Sequence, residues 1–145
     1  MPTVTRKIVA FADIQGYHRQ ICSELSAAEV FEFLSRYYCT AQRTLEGSNG
    51  RIVKFIGDSI LFVLPAEAPS EAIETLRKVK FAVESFLMQE GYGLQLRIKA
   101  HVGEVATGMI GVGELERFDV CGTTVNETAL LPDGEWVLSD NLQNS

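Results

Sequence analysis

KFIGDSILFV, residues 54–63, decides the fold. Phe55, Ile56, Ile60, Leu61, Phe62 and Val63 read as buried strand, broken at Gly57-Asp58. Two apolar runs around a Gly-Asp dipeptide predict a β-hairpin over 51–56 and 59–64. The hairpin carries a cation, Lys54, and a carboxylate, Asp58, and an unpaired buried charge is costly. Both need partners or a task.

The flanks extend the pattern. KIVAFADI (7–14) is a continuous apolar run, suited to a strand covered on both faces, and it ends at Asp13. Gln15-Gly16-Tyr17 follows as a tight turn. Ser26 with Glu29 forms a capping box ahead of Val30, Leu34, Tyr37, Tyr38, Ala41 and Leu45, which recur at helical spacing up to Gly47 and Gly50. Residues 70–91 form a second helix, with Ser70 as its cap and Ala72, Ile73, Leu76, Val79, Val83, Phe86 and Leu87 as its apolar stripe. LQLRIKAHVGEV (94–105) alternates: Leu94, Leu96, Ile98, Ala100 and Val102 face a core, while Gln95, Arg97, Lys99 and His101 face away. Gly103, Gly108, Gly111 and Gly113 read as a turn region. RFDVCGTTVN (117–126) is a further strand and turn, and WVL (136–138) a last short strand. This β-α-β-β-α-β order predicts an α+β ferredoxin-like sandwich with additions at its C-terminal end. The polar face with Lys54 and the 95–101 set is either solvated or a partner surface.

The chain has 145 residues, enough for one domain over 1–145. A net charge of −6 argues against nucleic acid or an anionic membrane as a broad electrostatic partner. No run approaches the ~18 apolar residues of a membrane span. The N-terminal stretch has no signal-peptide pattern. Three cysteines without a CxxC suit a reduced, cytoplasmic protein. The two histidines pair with no cysteine at zinc-ligand spacing.

Asp13 and Asp58 end neighbouring strands in such a fold and can converge. Two hard carboxylates without His or Cys suit Mg²⁺ or Mn²⁺, and a two-metal clamp serves attack on phosphorus. The turn Ile14-Gln15-Gly16-Tyr17 opens a helix, and its free N–H groups can receive phosphate oxygens. Singly, each residue has a plainer reading. Asp13 is a turn former or cap, and Gly57-Asp58 an ordinary hairpin tip. Lys54 is an edge lysine and Asn126 a helix cap.

Four stretches occur in order: FADIQGY (11–17), GRIVKFIGDSILFV (50–63), LRIKAHVGEVATGMIGVG (96–113) and RFDVCGTTVNETA (117–129). Over about residues 7–130 they closely resemble the class III adenylate/guanylate cyclase catalytic domain. The resemblance implies that Asp13, Asp58 and the Ile14 carbonyl hold two Mg²⁺ or Mn²⁺ ions, while Gly16 and Tyr17 bind substrate. It implies that Lys54 and Asp119 read adenine and that the catalytic Asn126 orients the ribose. A Lys–Asp pair donates to adenine N1 and accepts from its amine, and guanine presents the reverse pattern. The implied activity is conversion of ATP to 3′,5′-cyclic AMP and pyrophosphate in intracellular signalling. The implied assembly is a head-to-tail homodimer in which one chain supplies Asp13 and Asp58 and its partner supplies Lys54, Asp119 and Asn126.

The sequence also departs from that pattern. Leu130 stands where the family has an arginine four residues after the asparagine, and such an arginine can be worth about 10³–10⁵ in rate. Pro132, Asp133 and Gly134 cut short the helix after Asn126. The chain as given stops at Ser145, ahead of the family's hairpin with a triphosphate-binding lysine. Lys99 replaces a small residue, as a charge in the dimer groove or a phosphate contact, and His18 replaces a hydroxyl residue. The competing reading is therefore a cyclase-homology domain that binds nucleotide or a partner without catalysis. A heterodimer whose second chain brings the arginine is also open. The GG[DE][DE]F signature of diguanylate cyclases is absent, the turn being Ile56-Gly57-Asp58-Ser59.

Overall fold

The computed structural model describes all residues, 1–145. The longest periodic segments form the two helices that cover one sheet face. α1 (Ala27–Leu45) starts at the expected capping box: Ser26 Oγ accepts the Glu29 N–H at 3.2 Å, and Glu29 accepts the Ser26 N–H at 2.9 Å. It buries Phe33, Tyr37, Ala41 and Leu45. α2 (Pro69–Gln89) buries Ala72, Leu76, Val79, Val83 and Leu87. Its start corrects the expected Ser70 cap. Pro69 occupies the first turn, where its missing N–H costs nothing, and Ala68 precedes it with no side-chain cap.

The hairpin forms as β2 (Arg51–Ile56) and β3 (Ser59–Pro65). With β1 (Thr3–Ile14), β4 (Leu96–Ile110) and β5 (Arg117–Cys121) it makes an antiparallel path ordered β2-β3-β1-β4-β5. The first four strands, with α1 and α2, are the ferredoxin-like βαββαβ sandwich. Ile8, Ala10, Ala12, Ile14, Ile60, Phe62, Leu64, Leu96, Ile98, Ala100 and Val102 pack beneath the helices in one core. The other face holds a smaller core of Val9, Leu61, Val105 and Val120, with Phe11, Val53 and Val125 against it.

Three elements depart from the sequence reading. β1 begins at Thr3, because Thr3–Arg6 pair with Thr107–Glu104. β4 runs through Gly103 and Gly108, and the turn is confined to the stretch around Gly111 and Gly113, both at positive φ. Gly103 marks a close approach instead: a Cβ there would lie 2.5 Å from Thr124 Oγ1 of α3 (Thr123–Ala129). After α3, β6 (Trp136–Leu138) pairs in parallel with Ile98–Ala100 of β4. A short α4 (Asp140–Gln143), not anticipated from the sequence, is capped by Ser139 and buries Leu142. No helix is long and apolar enough to cross a membrane.

Candidate active site

The first cluster lies where β1 ends and the β2–β3 turn begins. Ala12 pairs with Ile60 and Asp13 with Arg97, so strand register alone brings Asp13, Asp58 and Arg97 to one end of the sheet. Asp58 is firmly held. Its Oδ2 accepts the Ile14 N–H at 3.0 Å, and its carbonyl accepts the buried Tyr37 hydroxyl at 2.8 Å. The neighbouring Gly57 carbonyl accepts the hydroxyl of Tyr38, whose ring stacks on Phe55. Asp13 Oδ1 accepts from Arg97 Nε at 2.8 Å. Asp13, Ile14, Gly16, Tyr17, Asp58 and Arg97 line one open cleft of about 440 Å³.

The electrostatics follow from this placement. Burial pushes the Asp58 carboxyl above its usual range, the Ile14 N–H opposes that, and the Asp13 charge adds to it. The Tyr17 phenol is pushed up to about 12, by burial first and then by Cys22 and Asp58, so it stays protonated at neutral pH. The donor set fits a hard divalent cation: the carboxylates of Asp13 and Asp58 share the cleft, and although His18 also lines it, contrary to the sequence reading, no three His, Cys, Asp or Glu side chains gather as a cluster. A carboxylate whose charge is disfavoured by burial beside another carboxylate gains from such a cation.

The turn differs from its sequence reading in one respect. Gly16, at φ +80, bends the chain into the short helix Tyr17–Cys22 as anticipated. The Ile14 and Gln15 N–H groups are not free, since they donate to Asp58 Oδ2 at 3.0 Å and to the Gln95 carbonyl at 2.9 Å.

The second cluster joins opposite edges of the sheet. Lys54 Nζ lies 3.3 Å from Asp119 Oδ2, with the two side chains 45% and 26% exposed. Asp119 Oδ1 accepts the Val120 N–H at 2.8 Å, which orients the carboxylate. A bulge makes this pairing possible. Ile52 pairs with Phe62 but Lys54 with Leu61, leaving Val53 as the extra residue. Without it Lys54 would sit opposite Ile60, inside the helix-covered core. With it the ammonium emerges on the other face.

Asn126 is exposed on α3, one turn before Leu130, which is 83% exposed on the same side. α3 ends at Ala129, so the early stop at Pro132 holds. Lys99 corrects its sequence reading as a groove charge or phosphate contact. Its side chain is only 17% exposed, and its Nζ donates to the Ala129 and Leu131 carbonyls at 3.1 and 2.9 Å. It satisfies the end of α3, where a cation also meets the helix dipole. His101 is likewise covered, between Ser139 (2.7 Å) and Glu127 (3.6 Å). Much of the polar face of β4 is thus closed by the chain itself.

Arg97, Tyr37 and Tyr38 are site residues that sequence reading left without a role. Arg97 was visible only as one member of an alternating polar set. Its partner depends on the β1–β4 register.

Fold and site thus describe an α+β sandwich with a carboxylate cleft at one end and an edge-to-edge Lys–Asp pair. Residues 2–133 match the model of the adenylate and guanylate cyclase catalytic domain, and the chain belongs to that family. It is 28% identical over 146 residues to the receptor-type guanylate cyclase Gyc76C of Drosophila melanogaster, covering 94% of this chain and 9% of that protein. It is 31% identical over 128 residues to the uncharacterized protein Rv1320c of Mycobacterium tuberculosis, covering 85% and 22%. The chain therefore spans less than a quarter of the length of these relatives. Among solved structures, the adenylyl cyclase CyaB from P. aeruginosa superposes with a TM-score of 0.86 at 19% identity, over 99% of this chain and 81% of that one. The guanylyl cyclase Cya2 gives 0.85 at 21%, over 99% and 79%. At such identities the superpositions establish the fold.

Proposed function

We propose that this domain is an ATP-preferring nucleotide cyclase, producing 3′,5′-cyclic AMP and pyrophosphate as a head-to-tail homodimer. The observation that carries the base preference is the preformed Lys54–Asp119 pair. An exposed ion pair between two sheet edges adds about 0–1 kcal/mol to stability. Its geometry suits exchange: the ammonium donates to adenine N1 while the carboxylate accepts from the exocyclic amine. Guanine would leave both groups mismatched, which costs more than a lost contact.

Asp13, Asp58 and the Ile14 carbonyl would hold two Mg²⁺ or Mn²⁺ ions. When bound, these lower the pKa of the ribose 3′-hydroxyl and neutralise phosphate charge. The chain's own groups do the positioning. The turn at Gly16 and Tyr17 receives phosphate oxygens, and the protonated Tyr17 acts there as a donor. Arg97, already in the cleft on Asp13, would be a further cation for phosphate if Asp13 were engaged in holding a metal ion. Asn126 of the partner subunit orients the ribose, with Lys54 and Asp119 of that subunit on the base. The 3′-oxygen then forms a bond to the α-phosphorus as the bond to the β-phosphate oxygen breaks. The hydroxyl proton passes to solvent, and pyrophosphate leaves with the bridging oxygen. Alignment and fixed charge supply most of the acceleration.

A second reading has its own observation. Leu130 presents an exposed apolar side chain beside Asn126, and Lys99, the nearby cation of β4, is committed to main-chain carbonyls. A domain so built binds nucleotide without turning it over. The deciding experiment incubates the purified chain at high concentration with ATP or GTP and Mn²⁺ or Mg²⁺, and identifies products by mass. Metal-dependent cyclic AMP, absent in Asp58→Ala, is the expected result. Metal-dependent ATP binding without product selects the second reading.

A further inference from the structure

Five strands in the order β2-β3-β1-β4-β5 would place the outer two roughly 19 Å apart in a flat sheet, at about 4.8 Å per strand. They are not apart. Lys54 of β2 reaches Asp119 of β5, and three residues earlier the Arg51 guanidinium carbon lies 3.4 Å from the centre of the Phe118 ring. The sheet has rolled over the small core of Val9, Leu61, Val105 and Val120 until its edges meet. The two edge contacts differ in stiffness. Lysine is a point charge on a flexible stem and tolerates many separations. A planar guanidinium lying on an aromatic face has a defined spacing and orientation. Phe118 is also the residue immediately before Asp119, so what fixes Phe118 fixes the backbone that carries the carboxylate.

We infer that the Arg51–Phe118 stack is a positioning contact that sets the gap between β2 and β5, and with it the alignment of Lys54 and Asp119 on which base selectivity depends. The inference rests on the base-reading role proposed above for that pair. Arg51 and Phe118 need not touch the nucleotide. The stack narrows the range of Lys54–Asp119 separations, and so favours the spacing that matches N1 and the amine of adenine over the one guanine would need. The Val53 bulge works to the same end: it faces Lys54 toward β5, and Arg51 holds β5 where Lys54 can meet Asp119.

The test is equilibrium binding of 3′-deoxy-ATP and 3′-deoxy-GTP with Mn²⁺, measured by titration calorimetry on the full chain. These analogues lack the attacking oxygen, so the readout does not require turnover. An exposed cation–π contact is worth about 0.5–1 kcal/mol, equivalent to a roughly two- to five-fold change. Arg51→Ala should lower the ATP-to-GTP affinity ratio by that factor, and Phe118→Leu by a similar one. The double variant should lose no more than either single variant, and Arg51→Lys should recover part of the ratio. Lys54→Ala is the control for the underlying reading and should lower the ratio further. If Lys54→Ala lowers the ratio while Arg51→Ala and Phe118→Leu leave it unchanged, the positioning role is overturned and the base-reading role stands. If both analogues weaken equally in Arg51→Ala, the stack is merely structural and the inference fails. If Lys54→Ala leaves the ratio unchanged, or the wild type shows no preference, the base-reading role falls and the inference with it. Should Phe118→Leu unfold the domain, the Arg51→Ala and Arg51→Lys pair decides alone.

Discussion

The two polar clusters are built on opposite principles. At the carboxylate cleft, Asp58 is fixed by the Ile14 N–H and by two tyrosines that grip the turn carbonyls from α1. At the other cluster, Lys54 and Asp119 meet between sheet edges, half in solvent, with Arg51 on Phe118 beside them. The first region is anchored to the main core; the second rests on the smaller one. Rigid placement suits the cation-holding role proposed for the carboxylates, since a shift of an ångström can cost orders of magnitude in rate. A half-exposed pair suits the base-reading role proposed for it, in which a base enters and leaves.

The largest expected effect attacks the rigid side. Asp58→Ala should reduce cyclic nucleotide formation by about 10³-fold or more, some 4 kcal/mol, and abolish metal-dependent nucleotide binding. Undiminished turnover, followed by mass spectrometry, would remove the metal role. Next comes the division of labour between the regions. Asp13→Ala and Lys54→Ala chains, each inactive alone, should regain up to about a quarter of wild-type activity when mixed in equal amounts, because heterodimers retain one intact shared site of two. Inactive mixtures in which mass spectrometry finds mixed dimers would show that the clusters do not cooperate across subunits.

Leu130→Arg asks whether one cation is what α3 lacks. A gain of ~10-fold or more in turnover is expected, below the full worth of such an arginine because Lys99 already crowds the helix end. No gain would point instead to that shortened end. Lys99→Met removes the ammonium from the Ala129 and Leu131 carbonyls and should cost about 1–3 kcal/mol in urea unfolding. Unchanged stability would mean that solvent satisfies those carbonyls equally well.

The smallest effect is electrostatic. The folded-state pKa of Asp58 is raised, so the folded domain holds this proton more tightly than the unfolded chain. The associated stability is present below the ordinary carboxylate pKa and is lost as pH rises through the folded value. Asp58→Asn keeps an acceptor for the Ile14 N–H. It should melt higher than wild type at neutral pH and lose its advantage in acid, and Mn²⁺ should stabilise only the wild type. A variant less stable than wild type at neutral pH would contradict the direction of the shift.

Much of this site was legible because short-range chemistry wrote it. The capping box at Ser26 and Glu29, the Gly57-Asp58 turn and the apolar run ending at Asp13 each act within a few residues. The alternation from Leu96 to Val102 marked which face was core. Less legible were features set by contacts between distant segments. Glycines at 103 and 108 suggest turns until β1 and β5 are seen to pair on either side of that stretch. Lys99 looks like a surface charge until α3 ends against it. Ser70 looks like a cap until Pro69 is found in the first turn.

By itself the sequence determined the βαββαβ order, most of the core-facing stripes, though not Phe33 of α1, and the carboxylates that end neighbouring strands. Periodicity, capping and turn propensity are local and survive without coordinates. Only the tertiary structure decided the register that sets Arg97 against Asp13, and the bulge that turns Lys54 away from the core. It also decided the rolling of the sheet that closes Arg51 on Phe118. Register and twist minimise the energy of the whole sheet at once, and no window of ten residues contains that sum.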